Sequence, residues 1–198
     1  GVQLVWYLVM ARPKQFDIEE KLDLAADLFW RQGYANTSLA DLETHLSIGR
    51  KSIYDTFGDK FQLFLSVLDS YLRIPYPIAN QDAGWAEIEA QFHQSPAFNN
   101  NYKSCLFANT IQEFGLEENV EVRTRIYRHI ERLDRCFTQA LNNSIANGQL
   151  GPINVSLMAK YLTANLQSLS MMAKAGCSKK ELHELADLAL NSVRNSAS

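Results

Sequence analysis

The feature that most restricts the fold of this chain is the spacing of its apolar residues, which recur every three or four positions after Phe16. That spacing is the period of an α-helix with one buried face, whereas a half-buried strand alternates every second residue. No stretch of strand-like alternation appears, and glycine or proline interrupts the pattern at intervals, as expected where helices end. The sequence predicts an all-α fold with helices at 18–32, 38–45, 50–57, about 60–73, 83–93, 105–114, roughly 120–146, 155–175 and 179–193.

Composition excludes several classes of protein. With 198 residues, of which 46% are hydrophobic and 21% charged, the chain can bury a core in one or two domains. Its longest apolar run, residues 4–10, is far short of the roughly 20 residues that cross a bilayer. Three widely spaced cysteines without a paired motif fit the reducing cytoplasm. We interpret residues 1–9 as an N-terminal extension ahead of a natural start at Met10.

The sequence contains no recognisable catalytic motif. Nucleophile-elbow, zinc-protease, phosphate-loop and dinucleotide-binding patterns are all missing, and the four histidines lie far apart without metal-ligand spacing. We therefore expect neither an enzyme nor a bound cofactor or metal.

The two short predicted helices at 38–45 and 50–57 are too small to bury a core alone and need the helix at 18–32 as a support. This packing leaves one face of helix 50–57 free, while Ile53 and Phe57 point inward. The free face holds Arg50, Lys51, Ser52, Tyr54 and Asp55. A short helix with basic and small polar residues at its N-terminal end suits the DNA major groove. Residues 1–73 contain eight basic and ten acidic residues, so charge alone leaves a merely solvated helix face as the alternative.

Two segments carry a family resemblance. Residues 37–42 (Thr-Ser-Leu-Ala-Asp-Leu) and 48–60 (Ile-Gly-Arg-Lys-Ser-Ile-Tyr-Asp-Thr-Phe-Gly-Asp-Lys) closely resemble the helix-turn-helix of TetR-type transcriptional regulators. Met10-Ala-Arg-Pro and residues 25–34 fit the same pattern, whereas Ser47 and Gly49 depart from it. The resemblance implies a helix-turn-helix DNA-binding domain at 10–58 and a helical effector-binding and dimerisation domain at 59–198.

The resemblance also implies roles for individual residues in binding double-stranded operator DNA. Phosphate contacts are expected from Thr37, Ser38 and Lys60, with further positive charge from Arg12 and Lys14 in the N-terminal arm. Base contacts are expected from Arg50, Lys51 and Ser52. Tyr54 is expected to contact either a phosphate or a base edge.

The helix at 155–175 is apolar almost all round, so both of its sides need cover. A partner subunit is one such cover, and the stripe of Leu182, Leu185, Ala186, Ala189 and Val193 on the next helix resembles half of the family's four-helix dimer interface. The alternative is a buried central helix in a monomer. A homodimer would place two reading helices at half-sites about 34–36 Å apart.

An effector pocket is expected among the helices between residues 83 and 169. Its candidate lining residues are Trp85, Phe92, Phe107, Phe114, Tyr127, Tyr161 and Asn165, each of which could equally be ordinary core. Cys105 lies in a Ser-Cys-Leu segment that resembles family members responsive to electrophiles or oxidants. A thiol at a helix N-terminus can have a lowered pKa, although a lone cysteine is otherwise a small buried hydrophobe.

Together these patterns predict a dimeric DNA-binding regulator whose effector shifts the fourth helix and releases the operator. Repression is the default that the resemblance implies, and activation stays open. The alternative function is an all-helical carrier of a small ligand, or an adaptor, without DNA binding.

Overall fold

A computed structural model describes residues 16–98, 105–114 and 119–197 of the chain. The predicted extension at 1–9 and the arm residues Arg12 and Lys14 lie outside these ranges. The α-helices in them are α1 Ile18–Gln32, α2 Leu39–Leu46, α3 Arg50–Phe57, α4 Lys60–Tyr71, α5 Trp85–His93, α6 Leu106–Phe114, α7 Val120–Ala146, α8 Val155–Lys174 and α9 Lys179–Asn195. Short 3₁₀ turns occupy Pro77–Ala79 and Pro96–Phe98. The described ranges contain no strand, and the predicted all-α fold is confirmed.

Side-chain caps fix where several helices begin. Asp17 accepts a hydrogen bond from the Glu19 amide at the start of α1, and Asp59 accepts one from the Gln62 amide at the start of α4. Ser38 and Asp41 form a reciprocal capping box on α2. These short polar residues satisfy amides that lack a partner within their helices, which is why the predicted boundaries mostly hold.

Two apolar clusters make up the core. One joins α1, α2, α3 and α4 to α6 and to the first turns of α7, through buried residues such as Phe29, Leu46 and Phe107. The other joins α5, the later part of α7, α8 and α9. The first cluster runs without interruption across residue 58, so packing does not mark the predicted domain boundary there, and the division into 10–58 and 59–198 stays a prediction.

Two arginines of α7 bind α4 and the segment that follows it. The Arg125 guanidinium donates to both carboxylate oxygens of Asp69, at 3.0 and 2.7 Å. Arg132 donates to the carbonyl oxygens of Leu72 and Ile74 and lies over the Tyr76 ring, 4.5 Å from its centroid. Bidentate and charge-assisted bonds of this kind are among the stronger polar contacts, so α4 and α7 are held firmly together.

The outer faces of α8 and α9 keep large apolar side chains in contact with solvent. Leu157 and Met171 on α8 are 56% and 48% exposed, and Leu185 and Leu188 on α9 are 40% and 63% exposed. The predicted dimerisation stripe on α9 is wrong for most of its members, because Leu182, Ala186, Ala189 and Val193 pack into this subunit's own core. None of the described helices is long and apolar enough to cross a membrane.

Candidate functional site

The first turn of α3 is held by a residue that the sequence analysis did not single out. Gly49, which precedes α3, has no side chain to cap it, and the Glu43 carboxylate takes over by accepting the Arg50 amide at 2.7 Å. The same carboxylate receives the Arg50 guanidinium at 3.0 and 3.2 Å. Glu43 therefore compensates for the unusual glycine, while Ser47 adopts the left-handed conformation (φ 53°) that the turn requires.

The outward side of α3, which we call the α3 face, consists of Arg50, Lys51, Tyr54 and Asp55. The Lys51 side chain is 89% exposed and lies 3.2 Å from Asp55, and Tyr54 is 46% exposed. Ile53 is completely buried on the opposite side, as predicted. Ser52 is half-buried at the edge of this face. The helix thus presents two basic side chains, one aromatic ring and one carboxylate over two turns.

Two predicted phosphate contacts have side chains that point inward. Thr37 is completely buried, and its hydroxyl donates to the Gly33 carbonyl at 2.6 Å. The Lys60 ammonium donates to the carbonyls of Tyr34 and Thr37, each at 2.8 Å, and lies 4.1 Å from the Tyr34 ring centroid. In this conformation both groups donate to loop carbonyls, and their predicted phosphate contacts stay predictions. Ser38 is exposed, although its hydroxyl caps α2.

The loop between α1 and α2, residues 33–37, is also held by a residue of α6. Both oxygens of the Glu113 carboxylate, at the end of α6, accept amide hydrogens, from Tyr34 at 2.8 Å and from Ala35. Gly33 has a φ of +80°, and a Cβ there would lie 3.0 Å from a Glu113 oxygen. Glycine therefore permits both the turn and the approach of the carboxylate. The Tyr34 ring packs between Phe64 and Phe114, at 5.0 and 5.2 Å.

A cavity of about 290 Å³ lies where α1, α4, α5, α6, α7 and α8 meet. Exposed residues Ile74, Pro75 and Gln94 border it on the solvent side. Its full lining is mostly apolar and aromatic, with a few amides and hydroxyls: Trp30, Tyr71, Ile74, Pro75, Tyr76, Pro77, Gln91, Gln94, Ser95, Cys105, His129, Leu133, Leu166, Gln167 and Ser170. Such a composition is typical of sites for small organic ligands.

Most of the predicted pocket residues do not line this cavity. Cys105 does, whereas the buried Trp85, Phe92 and Phe107 belong to the surrounding core and Phe114 packs on Tyr34. These aromatics are core residues because their helical spacing turns them toward neighbouring helices, where the interior is close-packed.

The remaining predicted pocket residues are polar or lie on outer faces. Tyr127 is 53% exposed, because α7 turns Ile126 and His129 inward instead. Tyr161 and Asn165 are half-buried outside the cavity, and the Asn165 amide donates to the Tyr161 carbonyl at 2.8 Å. Their assignment to the pocket is wrong for this cavity.

His129 is the polar centre of the cavity, and the sequence analysis missed it. Its Nδ1 lies 3.3 Å from the Tyr76 hydroxyl, and its Nε2 lies 3.1 Å from the Gln167 amide nitrogen and 3.5 Å from Cys105 Sγ. Burial lowers the pKa of His129 to about 4, so the ring is neutral at pH 7. Its place in the inward register of Val122, Ile126 and Leu133 was a signal in the sequence that could have identified it.

The Cys105 thiol is protonated at neutral pH. Burial raises its pKa above the ordinary value, and this outweighs the lowering by the Phe107 and Ala108 amides and by the Tyr71 and Gln167 side chains. The predicted lowering of the thiol pKa at a helix N-terminus is therefore wrong, because removal of water disfavours the thiolate more than the helix amides favour it.

Two helices connect the cavity to the α1–α2 loop. Helix α4 has Tyr71 in the cavity wall at one end and Lys60 on the loop at the other. Helix α6 follows Cys105 in the cavity and ends near Glu113 on the same loop. Because Trp30 of α1 also lines the cavity, α1, α4 and the residue that precedes α6 all border the space where a ligand would sit.

Across the described ranges, no three His, Cys, Asp or Glu side chains are grouped as a metal site would require. All three cysteines are free thiols.

Comparisons with known proteins agree on one class. Residues 22–67 match the family "Bacterial regulatory proteins, tetR family", and residues 88–188 match the "Tetracyclin repressor-like, C-terminal domain". Two relatives are similar over nearly the whole chain. The uncharacterized HTH-type transcriptional regulator YezE of Bacillus subtilis (strain 168) is 29% identical over 92% of this chain and 98% of its own. The HTH-type transcriptional repressor ComR of Escherichia coli (strain K12) is 28% identical over 90% of each chain.

A solved structure with bound DNA has the same fold. It is a cysteine mutant of the TetR family transcriptional regulator CifR in complex with a 26-base-pair double-strand operator DNA. It is 26% identical to this chain, with a TM-score of 0.78 over 92% of this chain and 99% of that one. These similarities favour the regulator over the enzyme and ligand-carrier alternatives. The chain belongs to the TetR family of helix-turn-helix transcriptional regulators.

Proposed function

We propose that this regulator is a homodimeric repressor that binds double-stranded operator DNA through the α3 face and is released when a small molecule enters the cavity. The α3 face is the observation that carries the proposal, since Lys51 and Tyr54 are exposed on a short helix whose opposite side, at Ile53, is buried. An α-helix of this size fits the major groove, where each base pair has a distinct pattern of donors and acceptors. Its place of action would be the bacterial cytoplasm.

Within this proposal, Lys51, Ser52 and Tyr54 are the main groups that contact DNA. The Arg50 guanidinium donates to the Glu43 carboxylate, so it must leave that carboxylate before it can contact a base. Ser38 stands at the N-terminus of α2, where backbone amides favour a phosphate. Arg12 and Lys14 stay proposed contacts of the arm ahead of α1. The operator complex of the related CifR mutant supports this general arrangement.

The exposed apolar side chains of α8 and α9 support the homodimer. Half of the exposed large hydrophobic residues in the described ranges, namely Leu157, Met171, Leu185 and Leu188, lie on these two helices, which pack against each other. A second copy of the same face would cover them by the symmetric contact that is commonest among homodimers. In a monomer with α8 as its central helix, Leu157 and Met171 would be buried.

Release by an effector follows from the helices that touch the cavity. A ligand that favours one position of Tyr71 in α4 or of Cys105 in α6 also acts on the loop that Lys60 and Glu113 hold. The loop connects α1 to α2 and so bears on the placement of α3. To shift the protein from mostly DNA-bound to mostly released, the ligand must bind the released state about 5.5 kcal/mol more strongly than the DNA-bound state.

The test begins with selection of bound sequences from a random DNA pool and continues with variants of the α3 face. We expect Lys51→Ala and Tyr54→Ala each to weaken binding of the selected duplex by about 5- to 150-fold, which corresponds to the loss of one good contact of about 1–3 kcal/mol. Lys180→Ala is the matched control, because Lys180 forms the same kind of exposed pair, 3.8 Å from Glu184 on α9. Equal effects of all three variants, or no selected sequence at all, would contradict the proposal.

A further inference from the structure

Two glutamine side chains in the cavity wall each have a carbonyl oxygen without a hydrogen-bond partner. Gln91 of α5 is 6% exposed, and Gln167 of α8 is half-buried. The Oε1 atoms of both are buried and accept no hydrogen bond in the part of the chain that the structure describes. Buried carbonyls are almost always hydrogen-bonded in native proteins, and an unsatisfied one lowers stability. Both residues line the cavity and their unused acceptors lie buried within its wall, so a ligand reaches them only when the amides turn toward it.

The polar network around His129 explains why the Gln167 oxygen is left over. The Gln167 amide nitrogen has two hydrogens, and a ring nitrogen lies within its reach. The amide nitrogen is 3.1 Å from His129 Nε2, and the Cys105 sulfur lies 3.5 Å from the same ring nitrogen. His129 must then carry its proton on Nδ1, where it donates to the Tyr76 hydroxyl 3.3 Å away. The protein uses the nitrogen of this amide and leaves its oxygen for another donor.

The rest of the lining limits the charge and shape of a ligand. The described lining residues include no Lys, Arg, Asp or Glu, and His129 is neutral at pH 7. A charged ligand would lose its hydration without gaining a countercharge, which is strongly unfavourable. Trp30, Tyr71 and Tyr76 provide aromatic surfaces, and the volume of about 290 Å³ lies at the lower end of the range for small-molecule sites.

We propose that the cavity binds a small, uncharged, ring-containing molecule that donates two hydrogen bonds, one to Gln91 Oε1 and one to Gln167 Oε1. The effect of this ligand on operator affinity rests on the proposed function, whereas binding of the ligand to the cavity does not. The complex is non-covalent, because the Cys105 thiol is buried and burial keeps it protonated. The recognised chemistry is that of aromatic diols, hydroxymethyl arenes and similar neutral donors.

The test is calorimetric titration of the DNA-free, full-length protein with three compounds of related shape. The probe is 1,4-benzenedimethanol, which has one ring and two hydroxyl donors. In 1,4-diethylbenzene each hydroxyl is replaced by a methyl group, and terephthalate has two negative charges instead. We expect the diol to bind at least fivefold more tightly than diethylbenzene, because each neutral hydrogen bond contributes a few-fold in affinity, and terephthalate not to bind.

Two variants assign the hydrogen bonds to their acceptors. Gln91→Leu and Gln167→Leu should each weaken diol binding about three- to tenfold and leave diethylbenzene binding unchanged or stronger. Gln139→Leu is the matched control, since Gln139 is exposed on α7 and outside the cavity. Gln91→Leu should also raise the Tm of the ligand-free protein by about 2–4 °C, because it removes an unsatisfied buried carbonyl. A merely structural glutamine would lower the Tm when replaced.

The outcomes separate this proposal from the one above. Equal binding of the diol and diethylbenzene, no binding of the diol, or full diol affinity in both leucine variants would overturn the proposed ligand class. Binding of the diol without any change in operator affinity would instead contradict the effector role of the cavity and leave the ligand class intact.

Discussion

The two functional ends of this molecule are built in different ways. The α3 face is formed by residues 50–55, and the groups that support it, such as Glu43 and Ser47, are only a few positions away. The cavity is lined by residues that range from Trp30 to Ser170 and come from five α-helices and the segments between helices. A short contiguous surface is encoded by a local motif, whereas a cavity depends on how distant helices pack. The surface proposed to bind DNA is therefore readable as a motif, and the cavity is not.

The two ends meet at the α1–α2 loop. Lys60 holds it from α4, and Glu113 holds it from α6 through the amides of Tyr34 and Ala35. If the ends work as a unit, changes at the dimer face or in the cavity must reach DNA binding. If they work separately, such changes should affect the sensor end alone. Three experiments distinguish these cases.

The largest effect is expected at the α8–α9 surface. The combined Leu157→Glu and Leu188→Glu variant places charge on side chains that are 56% and 63% exposed, so the subunit should fold but fail to pair. Loss of the second reading helix should weaken operator binding by about 10²–10⁴-fold. Light scattering would report the mass, and a gel shift the affinity.

Val120→Glu is the control for that variant, because Val120 is 64% exposed on α7, away from the α8–α9 surface. It should leave both mass and affinity unchanged. A monomeric double variant with full operator affinity would mean that the DNA-binding end acts alone.

The next largest effect is the pH dependence of the free energy of unfolding that His129 in the cavity wall causes. The folded protein binds a proton at His129 only near pH 4, whereas the unfolded chain does so near pH 6.5. The unfolded state thus binds more protons between these values, and the free energy of unfolding should fall by about 3 kcal/mol as pH decreases through this window. Burial raises the pKa of the surrounding Tyr71, Tyr76 and Cys105, so these groups stay neutral there.

His129→Gln should remove this part of the pH dependence in urea unfolding measured from pH 7 to pH 4. The exposed His183 provides the control, and His183→Gln should keep the wild-type slope. An unchanged slope in the His129 variant would show that this ring is not buried in its neutral form.

The smallest effect is expected at the loop that joins the two ends. Glu113→Gln replaces one acceptor oxygen with a donor opposite a backbone amide, and it should lower the free energy of unfolding by about 1–2 kcal/mol at this exposed position. It should also reduce the change in operator affinity that a cavity ligand causes. Glu184→Gln, at an exposed residue of α9, serves as the control. Full ligand response in the Glu113 variant would place the coupling in α4 instead.

Sequence patterns were most reliable where the decisive interactions are local. The helices, the buried side of α3 at Ile53 and the family were all predictable from periodicity, caps and motif spacing. Sequence patterns did not predict whether a side chain is exposed to water or contacts a residue that is distant in the sequence. Thr37 and Lys60 turned to loop carbonyls, Tyr127 faced solvent, and His129 proved to be the centre of the cavity. A helical period fixes the face of a residue but not the neighbour that this face meets.

The sequence by itself determined that this chain is a bundle of helices with a DNA-reading helix near its N-terminus, because hydrogen bonds within helices and motif spacing depend on nearby residues. The tertiary structure decided where the cavity lies, which amide oxygens remain unused in it and which carboxylate holds the α1–α2 loop. These features depend on contacts between residues up to 79 positions apart, as between Tyr34 and Glu113. Such contacts form only when the packing of whole helices brings the partners together and excludes water.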